Sequence, residues 1–175
     1  MDTTPKGNRL HIAIFGRRNA GKSSLINALT NQDIAVVSEV PGTTTDPVFK
    51  AMEILPIGPV MLIDTAGIDD VGDLGELRVE RSLAVFNKAD LVLLVMDSGA
   101  TVSQFEQDIL VRCREKKLPV VLVLNKIDLY PATTSMLEKV RDVMISMGFN
   151  EVMNFVVTSS GFYGGEHYKG GFEIL

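Results

Sequence analysis

Short, almost wholly apolar runs punctuate the chain, and longer stretches of mixed polarity separate them. LHIAIF at 10–15, LVLLVMD at 91–97 and PVVLVLN at 119–125 carry scarcely a polar residue before their last position. Runs of this length and kind predict strands buried on both faces. VFKAMEIL at 48–55 alternates, PIGP at 56–59 interrupts it, and VMLID at 60–64 resumes, which predicts a hairpin. VMNFVVT at 152–158 completes the expected set of strands. The intervening stretches 22–29, 76–87, 103–116 and 135–147 place apolar residues at helical spacing. The last of these helices is expected to open with a capping box, Ser135 to Glu138. Residues 31–47 and the glycine- and aspartate-rich 65–75 read as loops. Strands alternating with helices predict an α/β three-layer domain: a mainly parallel sheet of about six strands, with helices on both faces.

Composition bounds this picture. A length of 175 residues suits one domain, which we place over 1–160. The stretch 161–175 is a glycine- and aromatic-rich tail, poor material for the further helix that a doubly wound sheet would use there. A net charge of −5 argues against a free-standing nucleic-acid binder. No apolar run approaches the ~18 residues that span a bilayer. The start, MDTTPKGNRL, has no apolar signal region. The chain therefore reads as cytosolic, with no membrane partner. Its single cysteine, Cys113, excludes an internal disulfide or a cysteine metal cluster. Cys113 shares the apolar side of a predicted helix with Phe105 and Ile109, so a buried, inert thiol is expected.

The candidate chemistry lies at the ends of the predicted strands. GRRNAGKSS at 16–24 fits G-x-x-x-x-G-K-[ST] between a strand and a helix, the context that pattern requires. Backbone N–H groups of Arg18, Asn19, Ala20 and Gly21, with the helix start at Lys22, Ser23 and Ser24, would cradle phosphates. Lys22 would neutralise β- and γ-phosphate oxygens, and Ser23 would ligate Mg²⁺. Arg17 and Arg18 are expected at the outer edge of the loop, solvated or steering phosphate. DTAG at 64–67 would add Asp64 as a Mg²⁺ ligand through water and the Gly67 N–H on the γ-phosphate. In PGTTTD at 41–46, Thr44, with Thr43 second, is expected to ligate Mg²⁺ and touch the γ-phosphate.

NKID at 125–128 selects the base. The Asp128 carboxylate can accept from guanine N1–H and the 2-amino group; adenine offers neither donor, leaving the acceptor unmatched. Lys126 can lie along the base, while Asn125 can brace the loop or reach the purine edge. After the last strand, Ser159 and Ser160 loosely match a base-edge loop. Each short motif alone could be a mere turn. In this order, at successive strand ends, they define a guanine-nucleotide site on the sheet edge where ligands bind in open parallel sheets.

These residues resemble a known family. GRRNAGKSSLINAL, PGTTTD and DTAGI are close to the P-loop (Ras-like) GTPases of the TrmE–Era–EngA type. The run PGTTTDPVFKAMEILPIGPVMLIDTAGIDDVGDLGELR is similar to the GTPase domain of the HydF family of [FeFe]-hydrogenase maturation proteins. The resemblance implies GTP and GDP as ligands, Mg²⁺, and K⁺ held beside the phosphates by Asn19. There K⁺ would stabilise charge developing on the β–γ bridge as an arginine finger does. Ile68 stands where many GTPases carry a water-orienting glutamine; the resemblance points to Glu76 instead, with Asp69 and Asp70 as the other acids nearby. The implied catalytic set is Lys22, Asn19, Thr44, Gly67 and Glu76, with slow turnover.

HydF proteins also carry a dimerisation domain and a cluster-binding domain, so the chain resembles their isolated GTPase domain. The implied partners are those other domains and the hydrogenase maturation machinery, reached through loops 31–47 and 65–75. A homodimer is left open. The alternative is a ribosome- or tRNA-directed GTPase of the Era or TrmE kind, against which the acidic balance weighs.

Overall fold

A computed structural model describes residues 9–30, 36–40, 47–54, 57–65, 75–130, 133–149, 154–158 and 173–174. For 30, 36–40, 75–81, 134, 154–158 and 173–174 it describes the backbone alone. The elements run β1 (Leu10–Phe15), α1 (Lys22–Thr30), β2 (Val36–Val40), β3 (Val48–Ile54), β4 (Gly58–Asp64), α2 (Gly75–Lys88) and β5 (Leu91–Asp97). They continue with α3 (Gln104–Glu115), β6 (Val120–Asn125), α4 (Thr134–Ser146), β7 (Asn154–Thr158) and β8 (Glu173–Ile174).

All the strands join one sheet in the order β2-β3-β4-β1-β5-β6-β7-β8. Strands β4, β1, β5, β6 and β7 are parallel; β2, β3 and β8 run antiparallel to their neighbours. The expected hairpin is β3–β4, in register from Val48 opposite Asp64 to Ile54 opposite Gly58.

Period-two alternation distributes the strand residues between two cores. Ala13, Phe15, Val92, Leu94, Met96, Leu122 and Leu124 face α2, α3 and α4, and Phe15 stacks on Phe86 at 4.7 Å between ring centres. Ile12, Ile14, Val60, Leu62, Val95 and Val123 face Leu25 and Ile26 of α1. Cys113 is buried in the first core, and burial pushes its thiol up to about 12. The expectation of an inert thiol stands on that burial.

Three local expectations are corrected. Residues 31–47 hold strand β2, which pairs with β3 from Val40 opposite Phe49 to Val36 opposite Met52, with a register shift between Val36 and Ser38. Its valines suit an extended edge strand, and pairing to β3 overrides the polar punctuation around it. Within the tail, Glu173 and Ile174 extend the sheet beside β7. Among the described residues the sheet thus has eight strands rather than about six.

Helix α4 begins one residue earlier than expected. Its N-cap is Thr133, whose side-chain oxygen accepts from the Met136 N–H at 3.3 Å, so Ser135 lies inside the helix rather than capping it. A capping box forms instead at α3, where the Glu106 carboxylate accepts from the Ser103 N–H at 2.7 Å. Among the described residues, no helix is long and apolar enough to cross a membrane.

Candidate functional site

The C-terminal ends of β1, β4, β5 and β6 share one edge of the sheet, and the phosphate loop hangs from β1. Its first glycine is dictated by β5: a Cβ on Gly16 would stand 2.4 Å from the Val95 carbonyl oxygen. The loop then turns through two left-handed residues, Asn19 at φ 63° and Gly21 at φ 97°. Glycine takes that conformation freely and asparagine tolerates it better than most residues. The turn is closed by the Ala20 N–H donating to the Arg17 carbonyl at 3.1 Å. Lys22 is buried at the start of α1, and its Nζ donates to the carbonyls of Gly16 and, at 3.1 Å, Arg17.

Arg18, Asn19, Gly21, Lys22, Ser23, Ser24 and Lys126 line a cleft of about 400 Å³. The phosphate-loop residues and the NKID lysine, more than a hundred positions apart, therefore face one cavity. Asn125 explains how. It is 1% exposed and its Nδ2 donates to the Ala20 carbonyl at 3.0 Å, tying the base loop to the phosphate loop. Of the two roles open to Asn125, the structure shows the brace. Lys126, at φ 66°, places Nζ 2.9 Å from Asp97 Oδ2. Burial alone would raise the Asp97 carboxyl. Hydrogen bonds from Lys126 and the Gly99 N–H, with the charges of Lys126 and Arg17, outweigh it and hold the group below its ordinary value.

Asp128 is exposed in the turn after Lys126. Asp64 ends β4 opposite Ile14 of β1, next to the phosphate loop. Ser23 and Asp64 offer oxygen donors, the chemistry a hard divalent cation requires, and the Asn19 amide adds another oxygen at the cleft. Thr43, Thr44, Gly67, Ile68, Asp69, Asp70, Ser159 and Ser160 lie outside the described residues, and Glu76 is described by its backbone alone, in α2.

One expectation at the site is refined. Arg17 stays partly exposed, with 38% of its side chain accessible, but it is not aimed at phosphate: its Nε lies 2.7 Å from the buried Glu106 carboxylate and its Nη2 donates to the Thr101 carbonyl at 3.0 Å. Arg18 alone of the pair lines the cleft. Several supporting residues escaped the sequence reading. Thr65 is fully buried and donates from Oγ1 to the Ile14 carbonyl at 2.6 Å, fastening the end of β4 to β1. Ser98 donates to the Tyr130 carbonyl at 2.5 Å, and the Tyr130 ring packs over Gly99, so the base loop is also clasped to the end of β5. For Glu106 a signal existed: Ser103-x-x-Glu106 is a capping-box pattern.

A P-loop, an NKID turn braced against it and a mainly parallel sheet define a nucleotide-binding GTPase fold. The family described as 50S ribosome-binding GTPase matches residues 11–126, and the chain belongs to it. Similar chains include the tRNA modification GTPase MnmE of Nitrosomonas europaea, 43% identical over 121 residues, covering 69% of this chain and 26% of that protein. MnmE of a Picosynechococcus species is 44% identical over 136 residues, 74% of this chain and 29% of the relative. The chain thus spans little more than a quarter of the curated relatives it matches.

Era bound to Mg-GDPNP and a segment of 16S ribosomal RNA superposes with TM-score 0.64 at 27% identity, over 86% of this chain and 50% of that one. The G domain of the Thermotoga maritima FeoB iron transporter, 24% identical, shares the fold at TM-score 0.57, over 87% of this chain and 89% of that one. The chain is a GTP-binding GTPase domain of the TrmE/Era type.

Proposed function

We propose that the chain is the nucleotide-responsive module of a larger protein, hydrolysing GTP slowly with Mg²⁺ and with K⁺ beside Asn19. The observation that carries this reading is the Asn125–Ala20 bond, which brings the guanine-selecting and phosphate-binding loops to one cleft. Lys22, already turned toward the loop carbonyls, exchanges them for β- and γ-phosphate oxygens. Loop N–H groups from Arg18 to Gly21 and the start of α1 at Lys22, Ser23 and Ser24 orient the phosphate chain. Ser23 and Asp64, with Thr44, are the proposed holders of Mg²⁺, and the Asn19 amide oxygen of K⁺. Bound there, the two ions would supply positive charge against the β–γ bridge as it breaks.

Thr43, Gly67, Glu76, Ser159 and Ser160 complete the proposed set, Glu76 as the group that positions water because Ile68 cannot. Residues 1–160 form the proposed catalytic unit. Competition of GDP and ADP for a fluorescent guanine nucleotide tests the central specificity. GDP is expected to displace it and ADP not, and Asp128→Ala is expected to abolish the preference. Equal displacement by both would remove the base-selecting role of NKID.

Two readings of the larger protein follow from different observations. Relatives more than 40% identical are tRNA modification GTPases, which supports a place in tRNA modification. The run 41–78 supports hydrogenase maturation, with nucleotide-dependent loops addressing attached domains and maturation partners. The relatives give the first reading the broader support. Purified full-length protein separates them: bound tRNA without iron supports the first, bound iron–sulfur cluster without tRNA the second.

A further inference from the structure

Arg17 is the second residue of the phosphate loop, yet its side chain leaves the cleft and reaches the start of α3. Its Nε stands 2.7 Å from Glu106 Oε1 and its Nη2 donates to the Thr101 carbonyl at 3.0 Å. The Glu106 side chain is only 1% exposed. Its Oε2 accepts from the Ser103 N–H at 2.7 Å and from the Ser103 hydroxyl at 2.5 Å, which fixes one end of the carboxylate in the cap of α3. Oε1 has no aligned hydrogen-bond donor and meets Arg17 as a close ion pair. A carboxylate this buried is retained only when paired, and removal of one partner leaves the other charge uncompensated.

The backbone of the same arginine carries the other half of the connection. The Arg17 carbonyl accepts from Lys22 Nζ and from the Ala20 N–H, each at 3.1 Å. The atom that orients the phosphate-binding lysine and closes the turn through Asn19 therefore belongs to a residue anchored, through its own side chain, to α3. We propose that Arg17 and Glu106 form a strut that sets the phosphate loop in its binding conformation, with Arg17 a positioning residue acting through Lys22 and the loop N–H groups. A loop with two left-handed residues in its span has other conformations open to it once untethered. Tethering it beforehand removes the ordering cost that the nucleotide would otherwise bear.

The test uses the whole chain, with GDP affinity measured by titration calorimetry and the nucleotide-free thermal midpoint measured in parallel. Arg17→Met and Glu106→Gln are each expected to weaken GDP binding about tenfold, about 1.4 kcal/mol. The double variant is expected to be no weaker than the worse single, because both act through one contact. Glu106→Gln keeps the size of the side chain and an oxygen for the Ser103 N–H, so it reports even if Arg17→Met fails to fold. Leu110→Ala, a core change in the same helix, is expected to lower the midpoint while leaving GDP affinity intact. Three results would overturn the strut: GDP affinity unchanged in Glu106→Gln, losses that add in the double variant, or an equal loss in Leu110→Ala.

Discussion

Asp97 is a residue whose environment fixes the sign of a pH effect. Its carboxyl is held below the ordinary value of 3.8, so the folded state binds this proton less readily than the unfolded chain. The ion pair therefore contributes stability that is fully present above pH 3.8 and lost as pH falls through the lower folded value. Asp97→Asn is expected to unfold at lower urea concentration than wild type at pH 7, with the gap closing as the pH drops below about 3.8. Cys113 gives the opposite test. With its thiol pushed from 9.0 up to about 12, the unfolded chain ionises first, and stability falls as pH rises between those values. Cys113→Ala is expected to flatten that alkaline loss, and in the native protein the thiol should resist alkylation until the chain unfolds.

Residue placement was legible in the sequence where a contiguous motif carried it: Lys22 and Lys126 line one cleft and Asn125 braces the loop beside it. It was hidden where the partner is distant. Nothing near Arg17 in the chain announces Glu106, 89 positions away, and Thr65 sits inside a recognised motif whose buried hydroxyl bond to Ile14 only the β1–β4 pairing creates.

Elements follow hydrophobic period faithfully when both faces or one whole stripe are buried. β1, β5 and β6 read directly as apolar runs because the core covers them on both sides. β2 did not, because an edge strand needs only one partner and its short apolar run is broken by Ser38 and Glu39. The start of α4 is likewise set by backbone geometry rather than by residue type. Ser135 and Thr133 are both plausible caps by residue type, and the backbone decides between them: Thr133 is extended at φ −83°, ψ 152°, while Ser135 is helical. Thr133→Ala is expected to cost about 1 kcal/mol in urea unfolding, and Ser135→Ala less than about 0.5 kcal/mol. The reverse ranking would restore the Ser135 cap. At the first glycine, Gly16→Ala would drive a Cβ into the Val95 carbonyl and must displace the phosphate loop or β5. Loss of GDP binding with retained helical circular dichroism is the expected result.

For the whole molecule, topology gathers on one edge of the sheet groups that stand far apart in the chain: the β1 loop, the end of β4 and the NKID turn. A ligand that binds only the folded state raises the unfolding midpoint with its concentration, so saturating GDP should raise it and equal ADP should not. The ion-assisted reading of Asn19 goes furthest beyond the fold, and it concerns the chemical step itself. Phosphate release from GTP by the purified chain, with Mg²⁺ and equal ionic strength of KCl or NaCl, measures it directly. With K⁺ acting through Asn19, release in KCl should be about tenfold faster, about 1.4 kcal/mol off the barrier, and Asn19→Ala should erase the difference. Equal rates in the two salts would contradict it.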